Sequence, residues 1–236
     1  ITKGEFEVKS FLGWDKKTNT YYYTSNEGSP LRSAVYKIDA KGRKTKLSAK
    51  EGTNRAIFSK SMKYYINTFT NITTPPVITI NDNTGKTLTT LVDNKRLAEK
   101  VANLHMPSKE FFTFTTSDGV ELNGWMMKPA NFDANKKYPV IMHQYSGPGS
   151  QRVLDQWNIG SRSDGGMFEA YMADHGFISV CVDGRGTGGR GAEFEKCTYM
   201  NLGVKEARDQ VETALYLGTL PYVDAKNIGI WGWGFG

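Results

Sequence analysis

The chain has 236 residues, 23% of them charged, and a formal net charge of +6. That length suits one large domain or two smaller ones, and no apolar run approaches the ~18 residues of a membrane-crossing helix. Basic residues are broken up by acids, as in DNKRLAEK and DANKKYP, with no basic stripe interleaved with stacking aromatics, so no nucleic-acid partner is expected.

The two cysteines, Cys181 and Cys197, are too few for a disulfide scaffold, and Cys181 in the apolar run FISVCVD reads as a buried thiol. His105, His143 and His175 are too far apart for ligand spacing, so neither a metal nor another cofactor is expected. The opening ITKGEFEV has no Met, basic start or apolar signal core. It reads as internal to a longer protein.

Residues 1 to 92 read as all-β. Short alternating or aromatic runs (FEVKSFLGW, TYYYTSN, AVYKIDAKGRKTKLS) are separated by polar turn clusters such as Asp15 to Asn19. This part repeats: TYYYTSN…AVYKIDAKGRKTKL is echoed by KYYINTF…PVITINDNTGKTLTTL. Tyr22 matches Tyr64, Val35 matches Val77 and Gly42 matches Gly85, a period of about 42 residues, as in four-stranded propeller blades. A sandwich with two similar hairpins is the other reading. Two blades cannot close a ring, so they would belong to a larger propeller.

From 93 to 236 the pattern changes. Asp93 or Asn94 can cap a helix with apolar Leu97, Val101 and Leu104, ended by Pro107. EFFTFTTSDGVELNGWMMKP then reads as a hairpin turning at Ser117-Asp118-Gly119. After it come a buried strand (YPVIMHQY), a helix stopped at Gly176 (GGMFEAYMADHG) and a second buried strand (FISVCVD). An amphipathic helix follows (VKEARDQVETALYLG), with Val204, Ala207, Val211 and Leu215 on one face, and then a third strand, NIGIWG. Apolar strands alternating with helices predict a parallel sheet covered on both faces.

Three motifs sit at strand ends, where open α/β sheets place their ligands. Residues 232 to 236, GWGFG, have the spacing of a nucleophile elbow, G-x-S-x-G, but Gly234 stands where the serine would be. A structural glycine turn is the alternative. In HQYSGPGSQ, residues 143 to 151, Tyr145 is placed to offer a phenolic hydroxyl to a developing oxyanion, or simply to anchor a turn. The run DGRGTGGRG, residues 183 to 191, matches G-x-G-x-x-G, but it follows a later strand and the next clear helix is expected well beyond it. It reads as an ordered loop over the sheet edge, not a nucleotide site.

Taken together, ITKGEFEV, YYTSNEGSP, VYKIDAKG, VANLHMPSKE, KKYPVIMHQYSGPGSQ, VDGRGTGGRG, LGVKEARDQ and YVDAKNIGIWGWGFG resemble the prolyl oligopeptidase family of serine peptidases, its dipeptidyl peptidase branch above all. The resemblance runs from the first residue to the last. It implies the last blades of a β-propeller over residues 1–92. Residues 93–236 would be a linker helix and the N-terminal half of an α/β-hydrolase domain. It implies release of X-Pro or X-Ala dipeptides from peptide amino termini, and a homodimer at full length.

By position, Gly234 takes the nucleophile's place, and the Tyr145 hydroxyl with the backbone N–H of Phe235 would form the oxyanion hole. Trp233 and the Phe235 ring would bind substrate. The triad's aspartate and histidine would lie beyond Gly236, and the glutamates that hold the substrate's ammonium before Ile1. Three explanations of Gly234 stay open: a substitution in an active peptidase, a naturally inactive homologue kept for binding, or another hydrolase of the fold, such as an acyl-peptide hydrolase or esterase. Few cysteines and a surface rich in Asn, Thr and Lys suggest a periplasmic or secreted location.

Overall fold

The computed structural model describes residues 1–159 and 165–236. They divide into two compact units, Ile1–Val101 with Leu154–Trp157, and Ala102–Val153 with residues 158–236.

The first unit holds two four-stranded antiparallel sheets, each with its strands in chain order. One comprises β1 (Val8–Asp15), β2 (Thr20–Ser25), β3 (Ala34–Asp39) and β4 (Lys44–Lys46). The other comprises β5 (Thr53–Phe58), β6 (Tyr64–Asn71), β7 (Thr74–Asp82) and β8 (Thr87–Val92). The repeat in sequence is thus a repeat of four strands. Its strongest mark is the last turn of each sheet. Asp39 and Asp82 open those turns, each carboxylate accepting backbone N–H groups across the bend, from Lys41 and Arg43 and from Thr84 and Lys86. Gly42 and Gly85 close them at φ +81° and +92°, where a side chain would be strained. The two sheets meet at Phe58, whose ring lies 4.5 Å from that of Tyr22 and 4.8 Å from that of Tyr65.

That contact corrects the pairing of Tyr22 with Tyr64. Tyr65 is 3% exposed like Tyr22 at 2%, whereas Tyr64 is half exposed. Successive side chains of a strand point to opposite faces, so a one-residue error exchanges core for solvent.

The helix expected up to Pro107 is shorter. α1 (Lys95–Ala102) buries none of its residues, and His105 at φ +48° takes a conformation that cannot continue a helix. Leu104 is left outside it, 67% exposed. At the other end the Asp93 carboxylate accepts the Lys95 N–H.

The second unit is built on one five-stranded sheet. In spatial order its strands are β13 (Val223–Gly232), β11 (Tyr138–Gln144), β12 (Ile178–Asp183), β10 (Glu121–Met127) and β9 (Lys109–Thr115). β11 is parallel to both β12 and β13, while β10 runs antiparallel to β12 and β9. The sheet is therefore mixed rather than wholly parallel, because the hairpin turning at Gly119 adds its two strands to one side. β12 is central and buried along its whole length, which explains its unbroken run of small and apolar residues. Leu122, Val140, Ile178, Val180 and Val223 form its core with Leu217 of α4 (Val204–Gly218). Two shorter helices, α2 (Met167–Asp174) and α3 (Ala192–Lys196), complete the described elements. α3 starts directly after Gly191, so a short helix does follow the glycine run where none was expected so near.

α4 overturns an expectation. The stripe Val204, Val211 and Leu215 is 57% to 65% exposed. The face it buries is polar: Glu206, Asp209, Gln210 and Thr213, with Leu217 as its apolar member. Each of these side chains has at least one partner, although Glu206 Oε1 and Gln210 Oε1 are buried without one. The Gln210 amide donates to the Val182 carbonyl, the Thr213 hydroxyl to the Asp209 carbonyl, and Glu206 accepts the Gly203 N–H. Asp209 binds Arg185. Burial of such groups is tolerable only with these bonds, and a hydrophobicity pattern cannot foresee them.

Candidate active site

β11 and β13 are parallel neighbours with Gln144 opposite Gly232, so the loops leaving their carboxyl ends start side by side. One loop carries Tyr145, the other is the elbow.

The elbow is a tight turn from Trp233 to Gly236, closed by the Gly236 N–H donating to the Trp233 carbonyl at 3.0 Å. Gly234 occupies its first central position at φ +65°. The outer glycines are sterically required. A Cβ on Gly232 would lie 2.5 Å from the Gly236 Cα, and one on Gly236 would lie 2.4 Å from the Trp233 nitrogen. At Gly234 itself there is more room: a Cβ there would meet only Tyr145 Cε2, at 3.2 Å. The chain thus brings position 234 and Tyr145 together. The Phe235 N–H is the other central amide of the turn, and the Phe235 ring is 36% exposed. Trp233 is 83% exposed. Beside the elbow lies a cavity of about 440 Å³, lined by Met142, Gln144, Gln210, Ile230 and Phe235 among others.

The Tyr145 loop is fixed from two sides. Within it, the Ser150 hydroxyl donates to the Gly147 carbonyl at 2.6 Å and the Ser150 N–H donates to the same carbonyl. Gly147 must lack a side chain, since a Cβ would lie 2.8 Å from Tyr145 Cε1. From outside, the 183–189 loop holds it. The Gly149 N–H donates to the Gly186 carbonyl at 3.1 Å and the Gly188 N–H to the Ser150 carbonyl at 2.8 Å. Asp183, at the end of β12, accepts the N–H groups of Arg152 and Val153.

That second loop is held in turn by Arg185. Its guanidinium donates to Asp209 at 2.6 Å and to Asp118 at 2.8 Å. Hydrogen bonding to Asp209, then to Asp118, raises the Arg185 pKa above its already high value. The Thr116 hydroxyl first, and Arg185 second, hold the Asp118 carboxyl down at about 2. Ser117 donates from both its hydroxyl and its N–H to Glu212, lowering that carboxyl as well. The glycine-rich run is therefore a buried structural clamp, at the carboxyl end of the central strand.

Of the residues singled out from sequence, Gly234, Tyr145 and the Phe235 amide lie together, and Trp233 projects outward. Arg152, Asp183, Arg185 and Asp209 escaped notice. The available signals were an acid ending an apolar strand and an Arg within a glycine run, neither specific by itself. Of the histidines, His143 is buried and stacks on Trp231 at 4.6 Å. Among the described residues no group of three His, Cys, Asp or Glu side chains could hold a metal ion.

Comparison with known proteins adds to this geometry. Residues 1–76 match the model of the dipeptidyl peptidase IV (DPP IV) N-terminal region, and residues 167–236 match that of the prolyl oligopeptidase family. The chain is thus similar to the prolyl oligopeptidase family in its last 70 residues and to the DPP IV N-terminal region in its first 76. The crystal structure of Porphyromonas gingivalis dipeptidyl peptidase 4 superposes with a TM-score of 0.94 at 49% identity, covering 100% of this chain and 32% of that one. At this likeness the two four-stranded sheets fit propeller blades. A protein of Sclerotinia sclerotiorum named "Probable dipeptidyl-aminopeptidase B" is 36% identical over 100% of this chain and 26% of its own length. One of Aspergillus flavus named "Probable dipeptidyl peptidase 4" is 31% identical over 100% of this chain and 31% of its own. The chain spans between a quarter and a third of these relatives. Their names mark dipeptidyl peptidases, and with the prolyl oligopeptidase match they indicate a serine-type peptidase family.

Proposed function

We propose that this chain is the oxyanion side of a serine exopeptidase that removes X-Pro or X-Ala dipeptides from the amino termini of peptides. Residues 1–92 are the last blades of its propeller, and residues 93–236 the linker helix and first half of an α/β-hydrolase domain. One observation carries the reading. Position 234 sits at φ +65° in a turn at the end of a parallel strand, and its Cβ direction meets the Tyr145 ring. A serine hydroxyl placed there would attack beside the Tyr145 phenol and the Phe235 N–H. Both would donate to the oxygen that gains charge, which is the arrangement an acyl-transfer site needs. The Phe235 ring would line the proline pocket, with Trp233 at its rim.

With Gly234 the chain has no hydroxyl for a base to deprotonate. Loss of the nucleophile from a triad costs roughly 10⁶-fold in turnover, so the protein as it stands binds such peptides without cutting them. The full-length protein is a homodimer in this reading, exported to the periplasm or secreted.

The test is hydrolysis of a Gly-Pro p-nitroanilide by the full-length protein, with and without Gly234→Ser. Cleavage by the serine form alone supports the proposal. A serine form that cleaves only esters or internal peptide bonds points to another hydrolase of the fold.

A further inference from the structure

Arg152 stands seven residues after Tyr145, in the loop that both share. Its guanidinium carbon lies 4.6 Å from the centroid of the Tyr145 ring, a cation set over a π-face. Its backbone is not free to drift, because its N–H donates to both oxygens of Asp183, at 2.9 and 3.1 Å. The Val153 N–H donates to the same carboxylate at 2.8 Å. The phenol is thus bounded on three sides. Gly147 lies against the Cε1 edge, position 234 faces the Cε2 edge, and Arg152 covers a face.

We infer that Arg152 is a positioning residue for Tyr145, holding the ring in register with position 234 and polarising its hydroxyl. This rests on the oxyanion role proposed above and deepens it. Attraction between the guanidinium and the ring quadrupole opposes swinging of the phenol out of the site. The same positive charge draws electron density from the phenolic oxygen and so strengthens the hydrogen bond that the phenol donates to the substrate oxygen as it becomes an alkoxide. Both effects grow as negative charge develops, so they act on turnover rather than on substrate affinity. Asp183 serves by fixing the backbone from which Arg152 reaches the ring. Arg suits this place better than Lys because its planar cation stacks on an aromatic face.

The experiment uses the full-length protein and has two arms. In the Gly234→Ser form, Arg152→Met keeps the length of the side chain and removes its charge. It should lower kcat for Gly-Pro p-nitroanilide about tenfold, or ~1.4 kcal/mol of barrier, with KM unchanged. Arg152→Lys should recover more than half of that loss on a logarithmic scale. In a Tyr145→Phe background Arg152→Met should add less than twofold, because the group it acts through is gone. An unchanged kcat, or an equal loss in the Tyr145→Phe background, overturns the inference.

The second arm needs no hydrolysis. With 3-fluorotyrosine at position 145 and Gly234 in place, Arg152→Met should shift the ¹⁹F resonance and Arg152→Lys should shift it less. A resonance indifferent to both substitutions overturns the inference. If the Gly234→Ser form cleaves nothing, the proposed function fails while this arm still decides the Arg152–Tyr145 pair.

Discussion

Gly234→Ser and Gly234→Ala, made together in the full-length protein, separate the backbone's contribution from the hydroxyl's. Position 234 holds φ +65°, and such a conformation costs a residue with a Cβ about 1–3 kcal/mol. The new Cβ would lie 3.2 Å from Tyr145 Cε2, so the ring must yield by a few tenths of an ångström. With Gly147 along its other edge and Arg152 over a face, the ring has little room, so this contact adds to the cost. Against this, replacing glycine removes freedom from the unfolded chain and returns about 0.5–1 kcal/mol. The balance is a destabilisation of about 0–2.5 kcal/mol, equal for the two substitutions because both add the same Cβ. Chemical denaturation, read as a midpoint shift at constant slope, measures it. Hydrolysis should appear with serine and be absent with alanine. If both variants were more stable than the glycine form by over ~1 kcal/mol, the turn would be unstrained, contrary to its left-handed φ.

In the Gly234→Ser form, Tyr145→Phe should reduce kcat about 10²-fold with KM nearly constant; a change confined to KM in steady-state kinetics would assign the hydroxyl to binding. Asp209→Ala leaves the Arg185 guanidinium buried beside an empty position, and should cost about 3–5 kcal/mol in denaturation of the full-length protein. A loss under 1 kcal/mol would mean that Asp118 alone can hold the loop. Asp118→Asn should make the acid arm of the stability curve shallower. The Asp118 carboxyl is held down from 3.8 to about 2, so its contribution is complete above about pH 4 and is lost as pH falls through 2. Melting temperatures of the two proteins, scanned from pH 5 to 2, should converge at the acid end.

Elements with a local cause were legible in the sequence. The Asp-x-x-Gly turns at 39–42 and 82–85 announce themselves because one carboxylate and one left-handed glycine make the bend without outside help. β12 is legible because a strand buried on both faces has no polar alternation. What escaped depends on partners distant in sequence. The buried face of α4 is polar because Arg185 and the Val182 carbonyl happen to face it, and an amphipathicity argument assigns that face to solvent. The exposed stripe Val204, Val211 and Leu215 has the helical spacing of a core and is none here. At the site, glycine spacing revealed the turn at 232–236, while the ring contacts of Arg152 and Gly147 with Tyr145 follow from loop geometry that has no periodicity.

The four residues Leu154–Trp157 belong to the first unit although the chain on either side of them belongs to the second. Asp155 is 4% exposed and its carboxylate accepts from the Arg32 guanidinium and from the Ile72 N–H. Its carbonyl accepts the Thr53 hydroxyl, and the Trp157 N–H donates to the Thr70 hydroxyl. During synthesis Arg32 can already pair with Glu51, and Thr70 with the Thr74 carbonyl. The first unit nevertheless emerges from the ribosome with Arg32, Thr53 and Thr70 still lacking their partners at 155 and 157. It gains them only after β9, β10 and β11 have been made. Its completion must wait for the other unit to be well under way, so the two cannot mature strictly one after the other, as separate domains often do. A chaperone or protease meeting the nascent chain before residue 157 would find an unfinished first unit, with Arg32 not yet bonded to Asp155.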